Sequence, residues 1–230
     1  MKHLLMLSRL LVALCLPVLL LSSNIRWTAG SPALYRYGFE RYGVAEASGI
    51  DAADLARVTE GLPEYFSSDE DYWRITVIRY GQQTQLLSDR EAEHFRDVKA
   101  LIRLDRWLQV ATLAYVVAFV IGVLLWKRRD GWRQVAGALR WGSAVTLGLM
   151  ALLGLAMLAG FERVFLGFHL AFFSNDLWLA QPGDIMTTLF PGGFFRDAAA
   201  FVAVATVLEA LVLGGGSWLA LRAMSRRWSS

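Results

Sequence analysis

Two of the three histidines in this 230-residue chain stand among acids at spacings that could do chemistry. Glu91 lies one helical turn before His94 and Asp97 one turn after it, so a helix would set all three on one side. His169 is followed by Asp176 and Asp184 within Phe165 to Phe195, a stretch aromatic enough to lie against lipid. That stretch also holds Asn175, Pro182 and Pro191, which no simple spanning helix would carry. Irregular backbone persists at membrane depth only under protein or beside a water-filled cavity. The mixture therefore reads as a site. His3, in the N-terminal tail, takes no role.

Three chemistries could use His94 and His169. As acid and base, two imidazoles with pKa near 6.5 can exchange roles at neutral pH. As metal ligands they need two further donors, which Asp97, Asp176 or Asp184 could supply, but no His-x-x-x-His or cysteine pair supports that pattern. As haem ligands they are poorer, since neither lies in a clean spanning helix. Serine-hydrolase and phosphate-loop signatures are absent. The bland alternative is that each is a satisfied core histidine, and the flanking acids weaken it without removing it. Asn175 could aim its amide at a carbonyl oxygen or simply close a turn. The cluster of Phe165, Phe168, Phe172 and Phe173 reads as helix packing and interface before it reads as an acyl groove. Glu209, deep in an apolar run, costs about 2.5–3.5 kcal/mol to insert; bonding to Thr206, Thr146 or Ser143 is favoured over a proton role.

The elements that must position these residues are membrane helices. Residues 107–126, 141–161 and 198–221 are long and apolar enough to span a bilayer, and Trp107 and Trp126 suit the two interfacial belts. Residues 5–24 read as a retained first span in preference to a signal peptide, because Thr28-Ala29-Gly30-Ser31 is only a fair cleavage site. Leu14 also occupies the position before Cys15 where a lipoprotein box needs a small residue. Basic residues flank the spans: Lys2 and Arg9; Lys127, Arg128, Arg129, Arg133 and Arg140; Arg222, Arg226 and Arg227. Their bias predicts four helices with both termini cytoplasmic. The net charge of +3 is a topology signal, not a nucleic-acid footprint. A single cysteine permits no intramolecular disulfide.

The expected fold class is mainly α, a polytopic membrane protein. A small α+β extracytoplasmic domain, residues 25–106, lies between helices 1 and 2. A basic cytoplasmic loop covers 127–140, a re-entrant or interfacial aromatic segment 162–197, and a cytoplasmic tail 222–230. Within the outer domain, Tyr35, Tyr37, Phe39 and Tyr42 at near-alternate positions predict an extended stretch in 24–50. Asp51 to Phe66 predicts a helix capped by Asp51, with Leu55, Val58 and Leu62 on one face. Trp73 to Tyr80 and Gln82 to Leu87, turning at Gly81, predict a hairpin; two strands alone are marginal in water, so it should lean on the membrane end of the bundle. Ser88 to Glu91 is a capping box. It should open a helix, with His94, Asp97, Val98 and Leu101 on one face, that runs nearly unbroken into the Trp107 span.

Two motifs resemble a known family. They are Leu87-Ser88-Asp89-Arg90-Glu91-x-x-His94-x-x-Asp97-Val98-Lys99 and Phe168-His169-x-x-Phe172-Phe173-x-Asn175-Asp176-x-Trp178-x-x-x-Pro182-x-Asp184, the latter continuing to Phe190-Pro191-x-x-Phe194-Phe195. Together with the topology they resemble the bacterial lipoprotein intramolecular transacylases. That resemblance implies O-to-N transfer of the sn-2 acyl chain of a diacylglyceryl-cysteine to that cysteine's α-amino group, giving a lyso-form lipoprotein. It implies His94 and His169 as catalytic residues; Asp97, Asn175, Asp176 and Asp184, which stand near them in the motifs, are expected to support them. Trp178, Phe172 and Phe173 would meet the substrate. No cofactor or metal is implied. The expected partners are diacylglyceryl-modified lipoproteins and membrane lipid, with no nucleic acid, and the expected state is a monomer in the bacterial inner membrane, its site at the outer leaflet. Gly192 and Gln181 depart from the family pattern, which often has acids there. Two other classes stand beside this one: a non-catalytic envelope protein that binds a partner through its outer loop, and a metal-dependent membrane hydrolase.

Overall fold

The structure, a computed structural model, describes residues 2–127 and 130–226. Arg128, Arg129 and Arg227, three of the residues behind the predicted orientation, lie outside the described residues. Helices α1 (Lys2–Ala29), α2 (Pro32–Arg41), α3 (Val44–Ser48) and α4 (Ala52–Ser67) precede strands β1 (Thr76–Arg79) and β2 (Gln82–Gln85). Helices α5 (Asp89–Lys127), α6 (Gly131–Phe172), α7 (Met186–Leu189) and α8 (Gly192–Arg226) follow. Of these, α1, α5, α6 and α8 are long and apolar enough to cross a membrane. At 39 residues, α5 is about 58 Å long, which leaves its polar first turns outside any bilayer core.

The chain divides into two compact units. One contains residues through Asn24, Asp105–Ala159 and Val202 onward. Its apolar side chains point outward as well as inward: Leu158 is 87% exposed and Val212 74%, which suits lipid as the solvent. Small residues let its helices approach closely. A Cβ on Gly142 would lie 2.9 Å from the Cβ of Leu16, and one on Gly214 would lie 2.9 Å from that of Ser143. Glu209 finds a partner in this unit, though not one of the three expected. The Asn24 amide donates to Glu209 Oε2 at 2.9 Å and to Thr206 Oγ1 at 3.2 Å. The Thr146 hydroxyl instead donates back to Gly142 O at 2.9 Å. Which span stands beside Glu209 is a matter of bundle packing, which span hydropathy does not encode.

The other unit contains Ile25–Leu104 and Gly160–Phe201. Its core gathers Tyr35, Phe39, Val58, Leu62, Trp73, Val77, Phe95, Leu189, Phe190 and Phe194. The extended stretch expected in 24–50 is wrong: α2 and α3 occupy it. Pro32 is accommodated in the first turn of α2, and Tyr35, Phe39 and Tyr42 also fit a helical i, i+4, i+7 stripe. Tyr35 and Phe39 are buried while Tyr37 is 46% exposed, so the helical period wins. The predicted hairpin is present, with Val77 opposite Thr84 and Arg79 opposite Gln82. Tyr80 (φ 51°) and Gly81 (φ 75°) form its turn, the left-handed pair that matches strand twist. The outside support it needs comes from two neighbours. Tyr80 N–H donates to Gly49 O at 2.8 Å and Asp51 N–H to Ile78 O at 3.1 Å, while Ile78 N–H donates to Asp54 of α4 at 2.6 Å.

Candidate active site

All parts of the candidate site belong to this second unit. The capping box forms as its residue types require: Ser88 N–H and Oγ donate to Glu91 Oε2 at 2.9 and 2.8 Å. Glu91 Oε1 accepts Met186 N–H at 2.9 Å, tying the start of α5 to α7. One turn on, His94 is 5% exposed. Helix α6 continues past a non-helical break at Gly160 and ends at Phe172, so His169 stands on a helix and irregular backbone begins only after it. His169 is 8% exposed.

The fold brings the two imidazoles to a centroid separation of 6.4 Å, their planes 24° apart. Phe173 lies 5.1 Å from His94 and 5.4 Å from His169, and Trp178 lies 4.9 Å from His169. His169 Nδ1 is 2.8 Å from Phe165 O. A carbonyl oxygen only accepts, so Nδ1 carries a proton and Nε2 is the ring nitrogen left to exchange one. This carbonyl contact was missed from sequence, although the i−4 spacing on a helix could have suggested it.

His94 Nδ1 is buried without a hydrogen-bond partner among the described residues. Burial, then the neighbouring His169, push the His94 pKa down to about 4, against a weaker upward pull from Asp97. His94 is therefore neutral at pH 7. The linkage sign follows: as pH falls from about 6.5 to about 4, the unfolded chain takes up a proton that the folded chain refuses. Folding should lose about 3 kcal/mol across that window. Thermal melts in detergent from pH 7 to 4 should show this fall, and His94→Gln should flatten it.

Of the remaining expected residues, Asp97 and Asn175 meet: Asn175 Nδ2 donates to Asp97 Oδ2 at 2.8 Å, while its Oδ1 accepts Leu177 N–H at 3.1 Å. Asp176 contributes its carbonyl, which accepts from Arg90, and its side chain is exposed. Asp184 closes a turn by accepting Gln181 N–H at 2.6 Å. Phe172 is 55% exposed and packs on Phe168 at 4.9 Å. Arg90, not singled out from sequence, reaches both Asp176 O and Leu179 O.

The chain is similar to known proteins in sequence and in fold. The sequence model of the family "Lipoprotein intramolecular transacylase Lit" matches residues 10–195. The membrane-integral lipoprotein intramolecular transacylase Lit of Bacillus cereus superposes with a TM-score of 0.82 at 21% identity, covering 99% of this chain and 100% of that one. A variant of that protein with one histidine replaced by alanine gives a TM-score of 0.77 at 21% identity, covering 98% and 97%. An uncharacterized protein of Aquifex aeolicus (strain VF5) is 23% identical over 174 residues, 76% of this chain and 73% of its own length. The structural likeness establishes a shared fold, and the family match spans most of the chain. The chain belongs to the lipoprotein intramolecular transacylase family and is, by that membership, a membrane acyltransferase.

Proposed function

We propose that the chain transfers the sn-2 acyl group of a diacylglyceryl-cysteine lipoprotein to the α-amino group of the same cysteine, with His169 as general base. The observation that carries this reading is the Nδ1 contact to Phe165 O at 2.8 Å, which leaves Nε2 as the nitrogen that can take a proton, beside a second, neutral imidazole. The amine nitrogen attacks the ester carbonyl, a C–N bond forms, and the C–O bond to glycerol breaks. One proton leaves the nitrogen and one arrives on the glycerol oxygen, so a histidine that takes the first can return it as the second. His94, neutral at pH 7, orients the leaving oxygen or relays that proton as an N–H donor.

Ester to amide transfer is downhill and needs no nucleotide. Donor and acceptor belong to one molecule, so holding them in register is the main task, and effective molarities of about 10⁵–10⁸ M are attainable. An α-amine with pKa near 8 needs only modest help to lose its proton. Asp97 and Asn175 brace the segment after α6 against α5. Phe173 and Trp178 supply apolar walls, with Phe172 meeting the acyl chain at the rim. Asp176 and Asp184 shape the turns that carry Trp178. The domain of residues 25–106 faces out from the inner membrane, both termini are cytoplasmic, the site works at the outer leaflet, and the protein acts as a monomer. Positive-inside bias supports that orientation. A metal-dependent hydrolase would need further donors near the histidines, whereas Glu91 is engaged with Ser88 and Met186, and Asp97 with Asn175.

The test is mass spectrometry of a lipoprotein's N-terminal peptide from a host that lacks a dedicated N-acyltransferase and expresses this chain. An N-acyl, S-monoacylglyceryl cysteine is expected. A diacylglyceryl cysteine with a free amine, from well-expressed protein, would overturn the assignment in favour of a partner-binding envelope protein.

A further inference from the structure

Both histidines are covered, His94 by Phe173 and His169 by Phe173 and Trp178. A glyceryl ester must still reach His169 Nε2, so part of this cover has to open in each turnover. Residues 173–185 carry little internal support. Leu179 N–H donates to Asp176 O at 3.2 Å, and Gln181 and Asp184 close one further turn. Asn175 ties the start of this segment to Asp97. Among the described residues, the side chain of α5 that hydrogen-bonds to its middle is Arg90, whose fork donates to Asp176 O and, at 3.4 Å, to Leu179 O.

We propose that Arg90 is a positioning residue: by holding the two carbonyls on either side of Trp178, it seats the indole over His169 and latches the 173–185 segment shut. The inference rests on His169 being the catalytic base. Arg90 stands one turn before His94 on the same helix, so the latch and one imidazole share a rigid support. Planar guanidinium suits two carbonyls at once, while a lysine ammonium is a point charge on a flexible stem. Arg90→Lys should therefore fail to restore the latch although it keeps the charge.

The experiment compares the parent, Arg90→Gln, Trp178→Ala and the double variant, each full-length in lipid vesicles with a synthetic diacylglyceryl-cysteine peptide. Arg90→Gln should lower kcat about tenfold with little change in KM, because the fault is in geometry more than in binding. If Arg90 acts through Trp178, the double variant loses no more than the worse single one, whereas multiplied losses would overturn the proposal. A second readout does not depend on catalysis. Carbethoxylation of His169 by diethyl pyrocarbonate, followed by peptide mass spectrometry, should run several-fold faster in both Arg90→Gln and Arg90→Lys than in the parent. An unchanged rate in both sinks the latch. Faster labelling together with full activity of His169→Gln would leave the latch standing and remove the base.

Discussion

His169→Ala is expected to reduce lyso-form lipoprotein production by about 10²–10⁴-fold, the range that a positioned general base contributes. The expectation follows from the tautomer: with Nδ1 donating to Phe165 O, Nε2 has the only lone pair that this ring can offer. Removing the ring also empties space beside Phe173 and Trp178, so His169→Gln is the more exact variant. Its amide can still donate to a carbonyl, but it cannot take up a proton near neutral pH. Equal loss in both variants, with the protein retained in membranes, assigns the deficit to proton transfer. Full activity in Gln would remove His169 as base. His94→Ala should fall by a similar factor if the leaving oxygen depends on it, and the N-terminal peptide assay reads both.

Glu91→Ala should have the largest effect on stability. This carboxylate is 3% exposed and accepts Ser88 N–H, Ser88 Oγ and Met186 N–H. Truncation leaves part-buried donors unpaired and removes one half of the capping box of α5, a cost of about 3 kcal/mol. A protein of this size should then melt about 6–12 °C lower. Glu91→Gln keeps an acceptor oxygen and should lose less than half of that. If Glu91→Ala melts with the parent, the tie from α5 to α7 contributes nothing. Activity should fall with stability in this series, whereas His169→Gln should separate the two.

The fate of Glu91 shows how far sequence could see. Its spacing from His94 put an acid on the same side of the helix as that ring, and its spacing from Ser88 made a capping box. The structure engages both oxygens in structural bonds, one of them to Met186, 95 positions away. Asn175 went the same way. Its amide and carbonyl are taken by Asp97 and Leu177, and a partner so distant along the chain leaves no local pattern.

What the sequence by itself determined were features that depend on neighbours along the chain. Four apolar runs, a capping box, the hairpin with Gly81 in its turn, and the two histidine motifs with their family all rest on local spacing and length. The misreading in 24–50 shows the limit of that method, because Tyr35, Tyr37, Phe39 and Tyr42 satisfy two periods at once. Only packing against Phe190 and Phe194 selects the helix. The tertiary structure alone decided that Asn24 partners Glu209, that Arg90 reaches the carbonyls around Trp178, and that His94 lies 6.4 Å from His169. Two rings 75 positions apart along the chain become a pair only when two helices of separate origin share one core. Burial in that core then lowers the pKa of His94, a property that belongs to the folded environment and to no stretch of sequence.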